Sequence, residues 1–264
     1  MKDSMRWSSI VLVVVSFTAT LCSAGDWSRF RGSDGSAVSD MKGAAVKWDD
    51  QTNIMWKTAL PGYGSSCPVI CGDKMYLTCY SGYGMDDKDP GEQEDLMLHL
   101  VCLDTKGKIL WDKKQKPSLP ETRYRGFSAL HGYASSTATF DDEAVYTFFG
   151  RTGVIAWTHD GEQLWKQSVG DGTHGWGSGT SVVLWGDLVI VNASVESGSL
   201  VALNKKTGRE VWRQGGMERS WNTPLIVKAG DHDELVVSVK DYLKAYDPAT
   251  GEPLWTCEGV HDYV

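Results

Sequence analysis

Four copies of one short motif constrain the fold of this chain more than any other feature. Each copy places a glycine four residues before a tryptophan, after a short apolar run that ends in a turn. The copies are Gly107–Trp111, Gly161–Trp165, Gly208–Trp212 and Gly251–Trp255. Because glycine fits a tight turn with positive φ, and the flanking runs are β-branched and aromatic, each copy predicts a β-hairpin. The tryptophans lie 54, 47 and 43 residues apart, a period that suits a four-stranded propeller blade.

A second repeated pattern precedes each of these glycines. The repeated segments align on one position, which is occupied by Cys67, Thr137, Thr180 and Thr223. An apolar strand, a turn and a second strand follow that position, so each unit holds four strands. The units cover about 63–116, 133–170, 176–214 and 219–258, and no stretch after the first 24 residues has helical apolar periodicity. The sequence therefore predicts an all-β propeller with four blades of four antiparallel strands.

Residues 1–24 are predicted to form a secretory signal peptide. Lys2 and Arg6 precede an apolar stretch, and small residues at 22–24 suit cleavage before Gly25. We therefore expect an exported protein, periplasmic or extracellular, that is soluble after cleavage. Residues 25–62 are expected to form an N-terminal extension and closing strand ahead of the repeats at 63–264.

A lipid anchor is the alternative for this leader. It would use Cys22, but Leu21 is larger than that chemistry usually accepts, so a cleaved signal peptide is the preferred interpretation. No later segment reaches the roughly 18 apolar residues that a membrane span needs.

The charge balance bears on the class of partner. The chain has 26 basic and 34 acidic residues, and without residues 1–24 the net charge is −9. Nucleic acid is excluded as an expected partner, because its phosphates would be repelled over most of such a surface and no basic run offsets this.

Five cysteines remain after the leader: Cys67, Cys71, Cys79, Cys102 and Cys257. An odd count in an exported chain leaves at least one free thiol or one intermolecular bond. A disulfide among Cys67, Cys79 and Cys102 is one alternative. The other is that all five are small buried apolar residues. Their spacing matches no zinc-ligand pattern.

The repeat resembles the tryptophan-docking repeat of pyrroloquinoline quinone (PQQ) dehydrogenases and their non-catalytic relatives. The copies Ala202–Trp212 and Ala245–Trp255 are the most similar, and the resemblance covers about 26–258. The opening residues 26–35 also look like secreted bacterial PQQ-like proteins, which are likened to the outer-membrane assembly propeller. The resemblance implies that each tryptophan packs between neighbouring blades and ties them together.

The resemblance also sets out what a dehydrogenase would need. Members of that family with PQQ hold the quinone between a tryptophan floor and a disulfide of two adjacent cysteines, beside a calcium ion and an aspartate base. No two cysteines are adjacent here, and no acidic residue matches the calcium or base positions. We therefore expect no cofactor and a non-catalytic binding or scaffold module. The alternative is a PQQ- and calcium-dependent dehydrogenase whose site is incomplete in this chain.

Aromatic and basic residues at the blade starts predict a binding rim. If the first strand of each blade lines the central channel, the side chains near those strands converge at one rim and can bind a small ligand or a peptide. These candidates are Tyr63, His131, Tyr133, His174, Trp176 and Arg219. The competing interpretation is that the histidine–glycine–aromatic pattern only packs loops. Neither histidine has a serine and a carboxylate arranged as a triad in the sequence.

Four blades are about half of the eight-bladed ring that is usual in the family. An open arc would leave the outer faces of blades one and four uncovered, which a soluble monomer rarely tolerates. The sequence leaves three alternatives: a piece of a longer protein, two chains paired in one ring, or four blades closed on themselves. Self-association through the uncovered blades is therefore expected of the isolated chain.

Overall fold

The computed structural model describes residues 26–259 as four sheets, each with four antiparallel strands in sequential order. Blade one contains β1 (Val69–Cys71), β2 (Lys74–Ser81), β3 (Met97–Asp104) and β4 (Ile109–Gln115). Blade two contains β5 (Thr139–Phe140), β6 (Val145–Phe148), β7 (Val154–Trp157) and β8 (Gln163–Gln167). The predicted signal peptide and Cys22 lie outside the described residues.

The second half of the chain repeats this arrangement. Blade three contains β9 (Val183–Trp185), β10 (Leu188–Ala193), β11 (Ser199–Asn204) and β12 (Glu210–Gly215). Blade four contains β13 (Leu225–Ala229), β14 (His232–Val239), β15 (Tyr242–Tyr246) and β16 (Pro253–Glu258). The predicted all-β fold with four four-stranded blades is confirmed.

Helices are few and short in the described part. Helix α1 spans Phe127–His131 in the connection between blades one and two, and α2 spans Ser194–Ser197 between β10 and β11. Short 3-10 helices cover Gln93–Asp95 and Gly150–Thr152. None of the helices within residues 26–259 has the length and apolar character to cross a bilayer.

The tryptophan motif has the same local geometry in every blade. Trp111, Trp165, Trp212 and Trp255 each pair with a small residue on the preceding strand, and each sheet has a register shift directly after that pair. The preceding glycines all have positive φ, from 69° to 81°. The turn conformation that the motif predicts is therefore present four times.

Each of the first three tryptophans contacts the glycine turn of the next blade. A Cβ on Gly208 would lie 2.7 Å from Trp165 Cδ2, and one on Gly251 would lie 2.5 Å from Trp212 Cε3. Trp165 Nε1 donates to Lys205 O at 2.7 Å, and Trp212 Nε1 donates to Pro248 O at 3.1 Å. Trp111 Cδ2 lies 3.2 Å from the same hypothetical position on Gly161. Glycine is needed at positions 208 and 251 because a side chain there would collide with the docked indole.

The segments before the first strands run side by side around the central axis. Cys67 N donates to Thr137 Oγ1 at 3.0 Å, and Thr137 N donates to Ser181 Oγ at 2.9 Å. Ser181 N continues the series to Thr223 Oγ1 at 2.9 Å. Hydroxyl side chains therefore link successive blades at the inner edge; Thr137 and Thr223 provide them from the recurrent position, and Ser181, one residue after it, does so in blade three.

The N-terminal segment lies against the first strands of three of the blades. Trp27 forms a bridge with Ile70, and Phe140 N donates to Ser28 O at 3.0 Å. Further along, a Cβ on Gly35 would lie 2.6 Å from Leu225 Cδ1 in blade four. The segment thus contacts blades one, two and four directly at their inner strands.

The cysteine positions differ from the expectation that all are buried. All five cysteines in the described residues are free thiols; Cys71, Cys79 and Cys102 are buried, whereas Cys67 and Cys257 are exposed. Burial raises the pKa of Cys79 to about 11 and that of Cys102 to about 12, so both stay protonated near neutral pH. The expectation fails for Cys257 because it lies on the outermost strand of blade four, which is exposed along its whole length.

Candidate functional site

Trp176 and Trp221 form the centre of the candidate site. Their ring centroids are 4.7 Å apart, with an interplanar angle of 44°. His174 packs against both rings, at 5.6 Å from Trp176 and 5.0 Å from Trp221. Phe127 of α1 adds an edge contact to Trp176 at 5.2 Å. Blades three and four therefore present a joint aromatic surface, which the connection before blade two extends.

Backbone hydrogen bonds fix this aromatic pair. Trp221 Nε1 donates to Gly177 O at 2.8 Å, so the blade-four indole is tied to the blade-three loop. His131 Nε2 lies 2.7 Å from Trp176 O, and His131 Nδ1 lies 2.6 Å from Ser135 Oγ. Trp176 N donates to His174 Nδ1 at 3.2 Å. His131 thus connects the blade-two loop to the indole-bearing loop.

Three open clefts meet at Trp176. One of ≈ 340 Å³ is lined by Phe127, His131 and Trp221 among others, and is mostly apolar. A second of ≈ 670 Å³ includes Arg123 and Arg125. A third of ≈ 470 Å³ is lined by His174, Trp176, Glu218, Arg219, Trp221 and Lys240. Trp176 is the residue that lines all three clefts.

The charged side chains of these clefts are mainly basic, whereas the chain as a whole is acidic. Four basic side chains line the two larger of these clefts, with Glu218 as the acidic residue among them; the four are Arg123, Arg125, Arg219 and Lys240. The chain as a whole carries −8. Burial, and secondarily the Arg219 charge, lower the pKa of His174, so its imidazole is neutral at pH 7. The aromatic surface therefore lies in a locally basic environment of an acidic protein.

The structure brings together four of the six predicted rim residues: His131, His174, Trp176 and Arg219. It does not bring Tyr63 and Tyr133 into this cluster. Tyr133 OH donates to Thr122 O at 2.7 Å, and its ring packs with Tyr80 and Tyr83 inside the contact between blades one and two. The Tyr63 side chain is 56% exposed, and its backbone forms a bridge with Tyr80.

Sequence reasoning missed Trp221, whose ring packs at an angle against Trp176. In the alignment of the repeats, position 221 corresponds to Ser65, Ser135 and Ser178, where the innermost segments carry small residues. A tryptophan at that position departs from this pattern of small residues, and the departure could have identified Trp221 as a candidate site residue. Phe127 and Lys240 carried no such signal, because they lie in connections outside the aligned positions.

Two carboxyl groups lie beside the aromatic cluster, that of Glu196, which is buried, and that of Glu121, which is half-buried. Burial raises the pKa of Glu121 and that of Glu196 to about 7, and the negative charge of Glu196 contributes to the shift of Glu121. Ser178 Oγ donates a short hydrogen bond to Glu196 Oε1, while Glu196 Oε2 is buried without a protein partner. The nearby cavity has a volume of ≈ 20 Å³, enough for about one water molecule. It is too small for a substrate.

A serine–histidine–aspartate chain occurs elsewhere, within blade one. His99 Nε2 lies 2.8 Å from Ser81 Oγ, and His99 Nδ1 lies 2.8 Å from Asp112 Oδ1. The three residues lie on β2, β3 and β4, and His99 is buried. Ser81 lines none of the clefts described above. The chain of hydrogen bonds therefore cross-links three strands rather than facing a substrate cleft.

The described residues offer no cluster of acidic side chains for a calcium ion. Calcium takes six to eight oxygen ligands. Within residues 26–259 no group of three or more His, Cys, Asp or Glu side chains is arranged to hold a metal ion. Glu196 provides one orphaned carboxylate oxygen, without further carboxylates to complete a coordination shell. No reaction step through PQQ or calcium follows from these residues.

Known structures share the fold. A quinohemoprotein alcohol dehydrogenase from Comamonas testosteroni matches with a TM-score of 0.61 and 15% identity, over 89% of this chain and 41% of that one. The quinohemoprotein alcohol dehydrogenase ADHIIG from Pseudomonas putida HK5 matches with a TM-score of 0.53 and 14% identity, over 77% and 35% of the two chains. The chain therefore spans less than half the length of these proteins, and the likeness concerns the fold alone.

Sequence comparison places the chain in a family. No curated protein matches it at a significant level. A family model described as outer membrane protein assembly factor BamB matches residues 97–224 and 153–262, which together make up more than half of the chain. The chain therefore belongs to this family of PQQ-like β-propeller proteins.

Proposed function

We propose that this protein is an exported, non-catalytic binding module that holds an anionic partner with aromatic groups at the surface formed by Trp176 and Trp221. The partner is a protein segment or a small molecule. The observation that carries the proposal is the pair of contacting indoles at the junction of three clefts, two of which are lined by basic side chains.

The chemistry of the surface favours such a ligand. Stacked aromatic rings offer a rigid apolar contact area at low cost in side-chain entropy, and they prefer offset or edge contacts with further rings. Arg123, Arg125 and Arg219 add guanidinium groups that pair with carboxylates and stack on rings. A local basic patch also raises the rate of encounter with an anionic ligand.

The hydrogen bonds of the site argue for binding rather than chemistry. The ring nitrogens of His131 face Ser135 and the Trp176 carbonyl, and Nδ1 of His174 accepts from Trp176 N. These nitrogens position loops, and general base catalysis needs a group within hydrogen-bond reach of the substrate proton. A PQQ-dependent dehydrogenase with a site incomplete in this chain is the second candidate, because the indole pair offers a surface on which a planar quinone could stack.

A labelled acidic peptide tests the proposal. The probe is a fluorescein-tagged peptide of alternating glutamate and phenylalanine, and its lysine–phenylalanine counterpart tests the charge preference. We expect the acidic probe to bind and the basic one not to bind in fluorescence anisotropy. Trp221→Ala is expected to weaken binding at least tenfold, since a buried aromatic anchor typically contributes about 2 kcal/mol or more.

Trp48→Ala is the matched control, because Trp48 is 68% exposed in the N-terminal extension. It should leave the affinity unchanged. Equal binding of the acidic and basic probes, or equal binding by the Trp221 and Trp48 variants, would contradict a specific anionic site at the indole pair.

A further inference from the structure

Three arginine side chains around Trp176 have no partner within the chain. Arg123 and Arg125 line one of the clefts that meet at Trp176, and Arg219 lines another. Among residues 26–259, none of the three guanidinium groups forms a hydrogen bond or an ion pair. A guanidinium group stays charged in proteins and offers five N–H donors. These three groups are therefore available to an anionic ligand.

The backbone around the two basic clefts is fixed by hydrogen bonds. The buried Ser128 Oγ lies 2.8 Å from both Arg123 O and Arg125 O. Thr122 Oγ1 donates to His174 O at 2.8 Å, which ties the same segment to the loop of Trp176. The site is thus largely formed before a ligand arrives, which lowers the cost of ordering it on binding.

His174 and Trp176 line both basic clefts and form the wall that the clefts share. Because Trp176 N donates to His174 Nδ1, that nitrogen carries no proton, and the neutral ring holds its proton on Nε2. In the described part of the chain, Nε2 has no hydrogen-bond partner. The wall therefore carries an unused donor in addition to the arginines on its two sides.

An apolar cleft adjoins this wall. Three aromatic rings line it, those of Phe127, Trp176 and Trp221, together with small residues such as Gly179. Phe127 is 55% exposed, so this side of the cleft is open to a ligand. The volume of ≈ 340 Å³ accommodates one aromatic side chain, which can make edge contacts with the three rings.

We propose that the partner is a protein segment in which one aromatic residue stands between acidic residues on both sides, and that it lies across the wall of His174 and Trp176. The aromatic ring occupies the apolar cleft. Acidic side chains on one side of it pair with Arg123 and Arg125, and those on the other side pair with Arg219. This inference rests on the proposed function and adds the class of partner and the pattern of its side chains.

The shape of the site favours a protein segment over a small molecule. Pockets for small molecules enclose most of the ligand surface. Here three open clefts extend from one shared wall, and the enclosed cavity nearby holds only about one water molecule. A segment that crosses the wall can place one side chain in each cleft, whereas a compact molecule occupies a single cleft.

Three fluorescein-labelled peptides of equal charge test the pattern. In the first, one phenylalanine stands between two pairs of glutamates; in the others, all four glutamates precede or all four follow the phenylalanine. In fluorescence anisotropy the first should bind about tenfold more tightly than either of the others, because only it reaches both groups of arginines. Phenylsuccinate, a small aromatic dicarboxylate, should not displace the first peptide at equal concentration.

Charge reversal identifies the two ends of the segment. Arg125→Glu should prefer a first peptide with lysines on one side of the phenylalanine, and Arg219→Glu should prefer lysines on the other side, because each variant repels the glutamates next to it. Arg209→Glu is the matched control. Arg209 is exposed and lines none of the three clefts, so this variant has the same change in charge and should still prefer the all-glutamate peptide.

A cleft-filling variant tests the aromatic anchor separately. A Cβ on Gly179 would contact only Trp221 Cδ1, at 3.8 Å, so Gly179→Val adds apolar bulk to the cleft. This variant should bind the first peptide no more tightly than the same peptide with alanine in place of phenylalanine. In the wild type the phenylalanine peptide should bind about tenfold more tightly than the alanine peptide.

The outcomes separate this inference from the proposed function. Equal affinities for the three peptides would overturn the two-sided pattern while leaving an anionic aromatic site, and failure of all three to bind would contradict the proposed function itself. Displacement by phenylsuccinate would overturn the protein segment in favour of a small molecule. A shared preference of Arg125→Glu and Arg219→Glu for the same lysine peptide would also overturn the inference.

Discussion

Replacing Trp212 by alanine should destabilise the protein by about 3–5 kcal/mol, the range for truncating a buried large aromatic side chain. Trp212 is 9% exposed, packs in the core between blades three and four, and donates to Pro248 O. Its loss would leave both a cavity and an unpaired carbonyl. Urea denaturation followed by far-ultraviolet circular dichroism measures the change.

The chain provides a matched control at the same repeat position. Trp255 has the same strand register but is 40% exposed, and its Nε1 donates to Glu234 Oε2 at 2.8 Å. Trp255→Ala should therefore cost less, about 1–2 kcal/mol, because a larger part of its apolar surface is already in contact with water. Equal losses for Trp212 and Trp255 would show that the docking contact between blades does not carry the stability.

Raising the pH from 5 to 8 should lower the free energy of unfolding, with Glu196 as a main cause. Burial raises the pKa of Glu196 from 4.5 to about 7, so the folded protein binds more protons than the unfolded chain between these values. Stability therefore falls as the pH rises through this window and becomes level above it. A pKa difference of this size corresponds to about 3 kcal/mol.

Glu196→Gln isolates this contribution. The variant should be more stable than the wild type at pH 8 by about 2–3 kcal/mol and similar to it at pH 5, because the neutral amide avoids burying a charge. Glu121 has the same raised pKa, so part of the pH dependence remains in the variant. Glu218→Gln, which alters an exposed carboxyl group, is the control. If the free energy of unfolding of the wild type did not change between pH 5 and 8, the raised pKa values of these carboxyl groups would be contradicted.

The fold could be predicted from the sequence because the motif of one blade occurs four times. One glycine–tryptophan spacing fixes a hairpin, and its repetition fixes the blade, since each copy must pack on the next. The turn conformation at Gly208 and Gly251 could be predicted from this motif alone. The position of Trp56, whose Nε1 donates to Thr105 O beside the Gly107 turn, was less evident, because its segment lacks the glycine that precedes the docking tryptophans of the repeats.

The candidate site was only partly predictable. Repeat alignment located Trp176 and His174 because they occupy equivalent places in successive blades. The same alignment misassigned Tyr133, whose side chain turns into the contact between blades one and two. The raised pKa values of Glu121 and Glu196 could not be predicted from the sequence, because only the three-dimensional packing removes a carboxyl group from water.

A titration of the protein with PQQ and calcium, followed by quinone absorbance and thermal unfolding, tests the central claim most directly. Any ligand that binds the folded state raises the melting temperature by mass action. A binding module without cofactor chemistry should show no shift at saturating PQQ and calcium, while the acidic peptide does raise the melting temperature. A rise with PQQ and calcium that disappears in Trp176→Ala would contradict this account and support a quinone-dependent dehydrogenase.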